Sequence, residues 1–232
     1  ASTDNDRGCS FPQRAAVWMG ADVFVQRMGF TVQEKSAQCV RVQYRFGVPG
    51  VPGAQVEMIY TVEAQGALRL DAVYHGVPGA PELPCFGIKF ETAAPVVRTR
   101  WTGLSGETYP DRCKGGVFGC HEEPPHIEPA LVPQDCGLHM DTQQVNLQLA
   151  DGKTLTLEST GEAFAFSALP NTAQQIEAAQ HPCELPETGR TCVTVLGAAR
   201  GVGGIDSWGT DVEAPYHVNG EQQHSVSLRI LL

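Results

Sequence analysis

QCVRVQYRFGVPGVPGAQVEMIYTVEAQGALRLDAVYH, residues 38–75, is the stretch whose reading decides the fold class. Val40, Val42, Tyr44 and Phe46 alternate with Arg41, Gln43 and Arg45, a period of two that puts apolar side chains on one face of an extended strand and polar ones on the other. Val56, Met58, Tyr60 and Val62 repeat the pattern against Glu57, Ile59 and Thr61, and Leu68, Leu70, Ala72 and Tyr74 repeat it after Gln65-Gly66. Three such strands in succession predict an antiparallel meander.

The connection GVPGVPGA at 47–54 and its near copy GVPGAP at 76–81 hold too few triplets for a triple helix. Their Pro-Gly pairs suit positions i+1 and i+2 of type II turns, so both are loops between strands. Outward from the meander, further strands are predicted at Phe86–Phe90, Val96–Trp101, Val145–Leu149, Thr154–Leu157, Ala163–Phe166, Thr191–Leu196 and Val226–Leu231. One segment reads as a helix: Thr172 and Gln175 stand in capping-box spacing ahead of Ile176, Ala178 and Ala179, and His181-Pro182 stops it. So many strands exceed one open sheet, and the expected architecture is an all-β antiparallel two-sheet sandwich, residues 1–232 forming one unit. Segment 112–137 has little periodicity and many turn formers, and reads as a long excursion over the surface.

With 26 acidic and 16 basic residues the chain carries a formal charge of −10, which repels phosphate backbones and anionic headgroups. Nucleic-acid and membrane-surface roles are therefore not expected. No apolar run approaches the roughly 20 residues that span a bilayer. The start, ASTDNDRGCS, has neither a basic nor an apolar leader region, which favours a cytoplasmic protein. The eight cysteines are irregularly spaced with no CxxC pair and are expected to be reduced thiols, a Cys113–Cys120 disulfide being the alternative. Cys113, Cys120, His121, His126, Cys136 and His139 come nearest to a metal cluster, but their gaps match no zinc ribbon or finger. No metal site is expected.

GAARGVGG at 197–204 fits neither GxGxxG opening a helix nor GxxxxGK[ST], so nucleotide binding is rejected. Its glycines instead permit positive φ and close backbone approach, holding Asp206, Ser207 and Trp208 in a tight loop. An indole offers a broad apolar face and one N–H donor, suited to the C–H face of a sugar ring. By composition alone, Trp208 filling the space between sheets is an equal alternative. Asp111 and Arg112 are expected to pair at the base of their loop, and Glu107 to be a solvated or structural carboxylate.

The segments TDNDRG (3–8), WTGLSGETYPDR (101–112) and GVGGIDSWG (201–209), with PQDCG (133–137) and FSALPNTAQQIEAAQHPCEL (166–185), together resemble the C-terminal domain of the large lacZ-type bacterial β-galactosidases of glycoside hydrolase family 2. The resemblance implies a β-supersandwich of galactose-mutarotase-like type with one short helix, cut from the C-terminal end of a multidomain enzyme. It implies a retaining hydrolase of terminal β-D-galactosides such as lactose. Retaining chemistry needs an acid/base and a nucleophile carboxylate about 5 Å apart. The family carries both in a separate barrel domain, so no catalytic residue is expected in this chain and the fragment alone should be inactive.

By the same resemblance Trp208, flanked by Asp206 and Ser207, projects into the active-site mouth and stacks on the sugar. The 101–112 loop, with Gly103, Gly106 and Glu107, borders that mouth and moves. Where the family has two acidic residues before Ser-Trp, this chain has Ile205 and Asp206. Magnesium and sodium ligands are expected in the other domains, none here. The implied partners are the β-galactoside and a catalytic barrel, in the same polypeptide or a partner subunit, within an oligomeric parent. Two alternatives stand: a stand-alone sugar-binding module or the small subunit of a two-chain β-galactosidase, and an aldose epimerase. The latter needs a His and a Glu flanking the anomeric carbon, and its HxYFN-type signature is missing.

Overall fold

The computed structural model of the chain describes residues 1–125 and 130–232. An antiparallel sheet of nine strands runs in the order β1 (Gln26–Lys35), β2 (Cys39–Gly47), β3 (Gln55–Glu63), β4 (Leu68–Tyr74), β13 (His224–Leu231), β10 (Thr154–Ser159), β9 (Gln144–Leu149), β6 (Val96–Leu104) and β7 (Phe118–Glu123). A four-stranded antiparallel sheet, β5 (Cys85–Glu91), β12 (Cys192–Ala199), β11 (Phe164–Leu169) and β8 (His139–Thr142), forms the second layer. The two-sheet sandwich expected from the strand pattern is what forms.

Residues 38–75 are the meander β2–β3–β4, in a register that sets Val42 opposite Tyr60, Tyr44 opposite Met58 and Tyr60 opposite Leu70. Directly paired residues share a face, so the alternating apolar sets merge into one apolar surface. Its inner end, Leu70 and Ala72, joins Val145, Leu147, Leu157 and Leu228 against Ile88, Phe166, Val193 and Val195 of the other sheet. Each large aliphatic side chain buried there contributes about 1.5–3 kcal/mol.

The Pro-Gly connections divide by conformation. Gly53 (φ 86°) and Gly79 (φ 78°) take the left-handed backbone of a type II turn, closed by the Ala54 N–H on the Val51 carbonyl and the Ala80 N–H on the Val77 carbonyl, each 3.0 Å. Gly50 stays out of that region and is needed for space, since a Cβ there would meet Val17 Cγ2 at 2.8 Å.

Several elements lie outside the expected set. The capped helix is present at Ala173–Ala178, Thr172 and Gln175 exchanging both box hydrogen bonds. It is not the sole helix, because residues before β1 form three more single-turn helices, α1 (Asp4–Gly8), α2 (Phe11–Arg14) and α3 (Ala21–Phe24). Four or five residues cannot display helical periodicity. Strand β1 is exposed along nearly its whole length and broken by irregularities at Arg27/Gly29 and Val32/Glu34, which erase the alternation. Part of segment 112–137 is also not a surface excursion: Phe118–Glu123 is the edge strand β7, laid against β6 with Trp101 opposite His121.

Candidate functional site

Three segments far apart in sequence meet at one end of the sandwich. Asp111, its side chain 5% exposed, accepts the N–H of Val202 at 3.0 Å and of Gly203 at 2.8 Å. From the N-terminal segment Asn5 donates its side-chain amide to the Val202 carbonyl at 3.1 Å. Gly204 (φ 75°) and Gly209 (φ 78°) lie so close to Asn5 and Gly8 that a Cβ would come to 2.7 Å of Asn5 Nδ2 and 2.8 Å of the Gly8 carbonyl oxygen. The motifs at 3–8, 101–112 and 201–209 thus form one cluster.

Beneath it lies Arg200, buried and unforeseen in the sequence. Its guanidinium reaches Asp6 at 2.6 Å, Glu82 at 2.7 Å and Asp211, and stacks over Phe11 with 3.9 Å to the ring centre. Arg14 adds a second cation to Asp211, and His217 bonds Glu82 at 2.8 Å. One rigid planar fork suits several carboxylates at once. This hub ties the N-terminal helices to the strand that launches the 201–209 loop.

The loop itself is organised by Asp206. Its carboxylate accepts the N–H groups of Trp208 at 2.9 Å and Thr210 at 3.2 Å and the Thr210 hydroxyl. The hydroxyl and the Trp208 N–H hold this carboxyl below its ordinary range. Trp208 is 90% exposed, which rules out packing between the sheets; Ser207 and Ile205 beside it are exposed as well.

The 101–112 segment is half strand, half loop. Gly103 belongs to β6, where a Cβ would press on Thr142 at 3.0 Å, so it serves close packing and not loop flexibility. Gly106 is in the loop proper at φ 66°. There Glu107 accepts the Gly137 N–H, Thr108 donates its N–H to the Leu138 carbonyl at 2.7 Å, and His139 Nδ1 donates to the Gly106 carbonyl at 2.8 Å. His139 lies against Trp101 (4.3 Å between centroids) and Phe166 (4.9 Å), and this burial pushes its pKa below the ordinary imidazole value. Asp111 and Arg112 do approach, at 3.8 Å, but the closer partners of both are backbone groups of residues 202–203.

A cleft of about 430 Å³ opens between the two loops, lined by Asp111, Arg112, Lys114, Gly115, Ile205, Glu213 and Tyr216. Asp111 in its lining, and Glu107 and Asp206 elsewhere in the two loops, hold N–H or O–H donors of the protein itself, an arrangement that shapes loops and presents an aromatic face. Among the described residues no three His, Cys, Asp or Glu side chains gather as a metal site, and His126 lies outside those residues. Among the described residues, which include all eight cysteines, no disulfide forms, Cys113 and Cys120 included. No helix among the described residues is long and apolar enough to cross a membrane.

Residues 1–230 match the family model described as "Beta galactosidase small chain". The β-galactosidase small subunit of Latilactobacillus sakei is 40% identical, the match covering 99% of this chain and 82% of that protein. The β-galactosidase of Streptococcus thermophilus is 32% identical over 99% of this chain, which spans 23% of its length. Among solved structures, a galactose mutarotase related enzyme from Lactobacillus acidophilus aligns at 8% identity with a TM-score of 0.38, covering 87% of this chain and 70% of that one.

Proposed function

Because the chain belongs to the β-galactosidase small-chain family, we propose that it completes the active-site mouth of a retaining β-galactosidase whose catalytic carboxylates lie on a separate barrel. The substrate class is terminal β-D-galactosides such as lactose. Trp208 supplies a flat apolar platform for the C–H face of the sugar, Asp206 and Ser207 shape its loop, and Gly106 and Glu107 set the neighbouring loop. Magnesium and sodium, where the enzyme uses them, are held by the other component.

The observation that carries this reading is the fusion of three distant segments around Asp111, ending in an indole that is 90% exposed. A large apolar ring left in water by an otherwise tightly bonded loop fits a ligand or a partner better than the chain's own core. A relative described as a small subunit and one described as a β-galactosidase each match 99% of this chain, so the two-chain and the one-chain enzyme fit equally.

The test is reconstitution. The purified chain alone should leave a chromogenic β-galactoside intact, and mixing it with a barrel-bearing large subunit should switch on hydrolysis. Turnover by the isolated chain that vanishes when one of its own carboxylates is substituted would overturn the proposal.

A further inference from the structure

Among the described residues, strands β1 and β2 extend past the four-stranded sheet and make their main packing on their neighbours in the nine-stranded one. Their register puts Phe30 opposite Tyr44, Val32 opposite Val42, and Val40 opposite Val62, so these side chains continue the core face outward, with Phe30, Val32, Val40 and Val62 exposed among the described residues. Phe30 is 60% exposed, Val32 and Val62 50%. The Phe30 and Tyr44 rings stack at 5.8 Å, and Tyr60 meets Tyr44 edge-on at 5.7 Å. An aromatic, aliphatic shelf of this kind marks an interaction surface.

Charge identifies the kind of partner. Arg27 pairs with Phe46 and Lys35 with Val40, which puts two cations on the shelf face at opposite ends of β1. The acidic residues of β1–β4 fall on the other face, Glu34 and Glu57 opposite Arg41 and Arg45, Glu63 opposite Cys39, Asp71 opposite Ile59. Two copies joined by this face would set cation against cation with no anion between them, each chain already carrying −10. The two irregularities in β1 blunt its edge as a template, so a partner covers the face and does not extend the sheet.

We propose that this shelf is the docking surface for the catalytic component of the enzyme, which meets it with an apolar patch rimmed by carboxylates. The inference rests on the proposed function and adds where the components join. The probe is the large subunit that accompanies the L. sakei small subunit, titrated with this chain while binding and chromogenic β-galactoside hydrolysis are followed separately. Phe30→Ser/Val32→Ser should raise the Kd at least about tenfold, as expected for truncating central apolar anchors. Arg27→Glu/Lys35→Glu should weaken binding by roughly threefold at low salt and flatten its salt dependence. Thermal melting of each variant should match the parent, since the substituted side chains are exposed.

Activation with unchanged Kd in both variants overturns the docking surface and leaves the proposed function standing. Binding that the variants weaken, without hydrolysis by the parental complex, overturns the function and leaves the surface. No complex at all overturns both, and self-association of the isolated chain abolished by Phe30→Ser/Val32→Ser reassigns the shelf to a second copy.

Discussion

Asp111 holds Gly203 by a 2.8 Å hydrogen bond from the Gly203 N–H to its carboxylate, and in doing so fastens the 101–112 loop to the loop that presents Trp208. A carboxylate accepting two backbone N–H groups forms charge-assisted bonds that a neutral side chain cannot replace.

Asp111→Ala should therefore leave the N–H groups of Val202 and Gly203 without their acceptor and destabilise the chain by about 1–3 kcal/mol in urea unfolding. Asp111→Asn should recover part of this at most, because its NH2 group faces one of the two donors. Equal stability of parent and Asp111→Ala would show that the loops are held by other contacts.

Trp208→Ala should leave the melting temperature unchanged, as the indole is almost wholly in water. In the reconstituted enzyme it should weaken substrate binding by roughly 1–3 kcal/mol, the scale of covering a large apolar side chain. The loss should appear mainly in KM if the platform serves ground and transition states alike. Asp206→Ala, which unties the Trp208 and Thr210 N–H groups, should reproduce a smaller version of the same change; unchanged kinetics in both variants would remove the loop from substrate binding.

Arg200→Met should be far more damaging. It takes the buried cation from Asp6, Glu82 and Asp211, leaving Asp211 to Arg14 and Glu82 to His217, and breaking a buried ion pair by deleting one partner costs roughly 3–5 kcal/mol. Arg200→Lys should rescue little, since one ammonium cannot fork to three carboxylates. Loss of protection in residues 3–24 under hydrogen exchange would locate the damage at the N-terminal helices.

His139 makes stability depend on pH. Burial between Trp101 and Phe166 lowers its folded pKa below the unfolded value of 6.5. Between those two values the unfolded chain binds a proton that the folded chain does not, so this residue destabilises the fold progressively as pH drops below 6.5 and contributes no slope above it. Urea midpoints at pH 5, 6 and 7 should fall toward acid, and His139→Asn, which keeps a donor for the Gly106 carbonyl, should flatten the decline.

The sheet strands and turns of residues 38–75 were legible because each signal is local. Alternation of Val42, Tyr44 and Phe46 with arginine and glutamine needs only the stereochemistry of an extended chain, a Pro-Gly turn closes over four residues, and the Thr172–Gln175 box spans one helical turn. Sequence by itself therefore determined an all-β sandwich, the capped helix and, through its motifs, the family. The single-turn helix Asp4–Gly8 is marked in the sequence only by its Thr3–Asp6 capping box, being too short for a period to form, and the edge strand Phe118–Glu123 is too exposed to show one. What only the tertiary structure decided was the site. Gly103 turned out to be a strand residue pressed on Thr142, Asp111 a clamp on Val202 and Gly203 more than a partner of Arg112, and Arg200 the meeting point of Asp6, Glu82 and Asp211. Apart from Arg200 with Asp211, those contacts join residues with strands between them, and a hydrogen bond or ion pair across such a separation imposes no spacing on the sequence; only the packing of the sheets brings its two ends together.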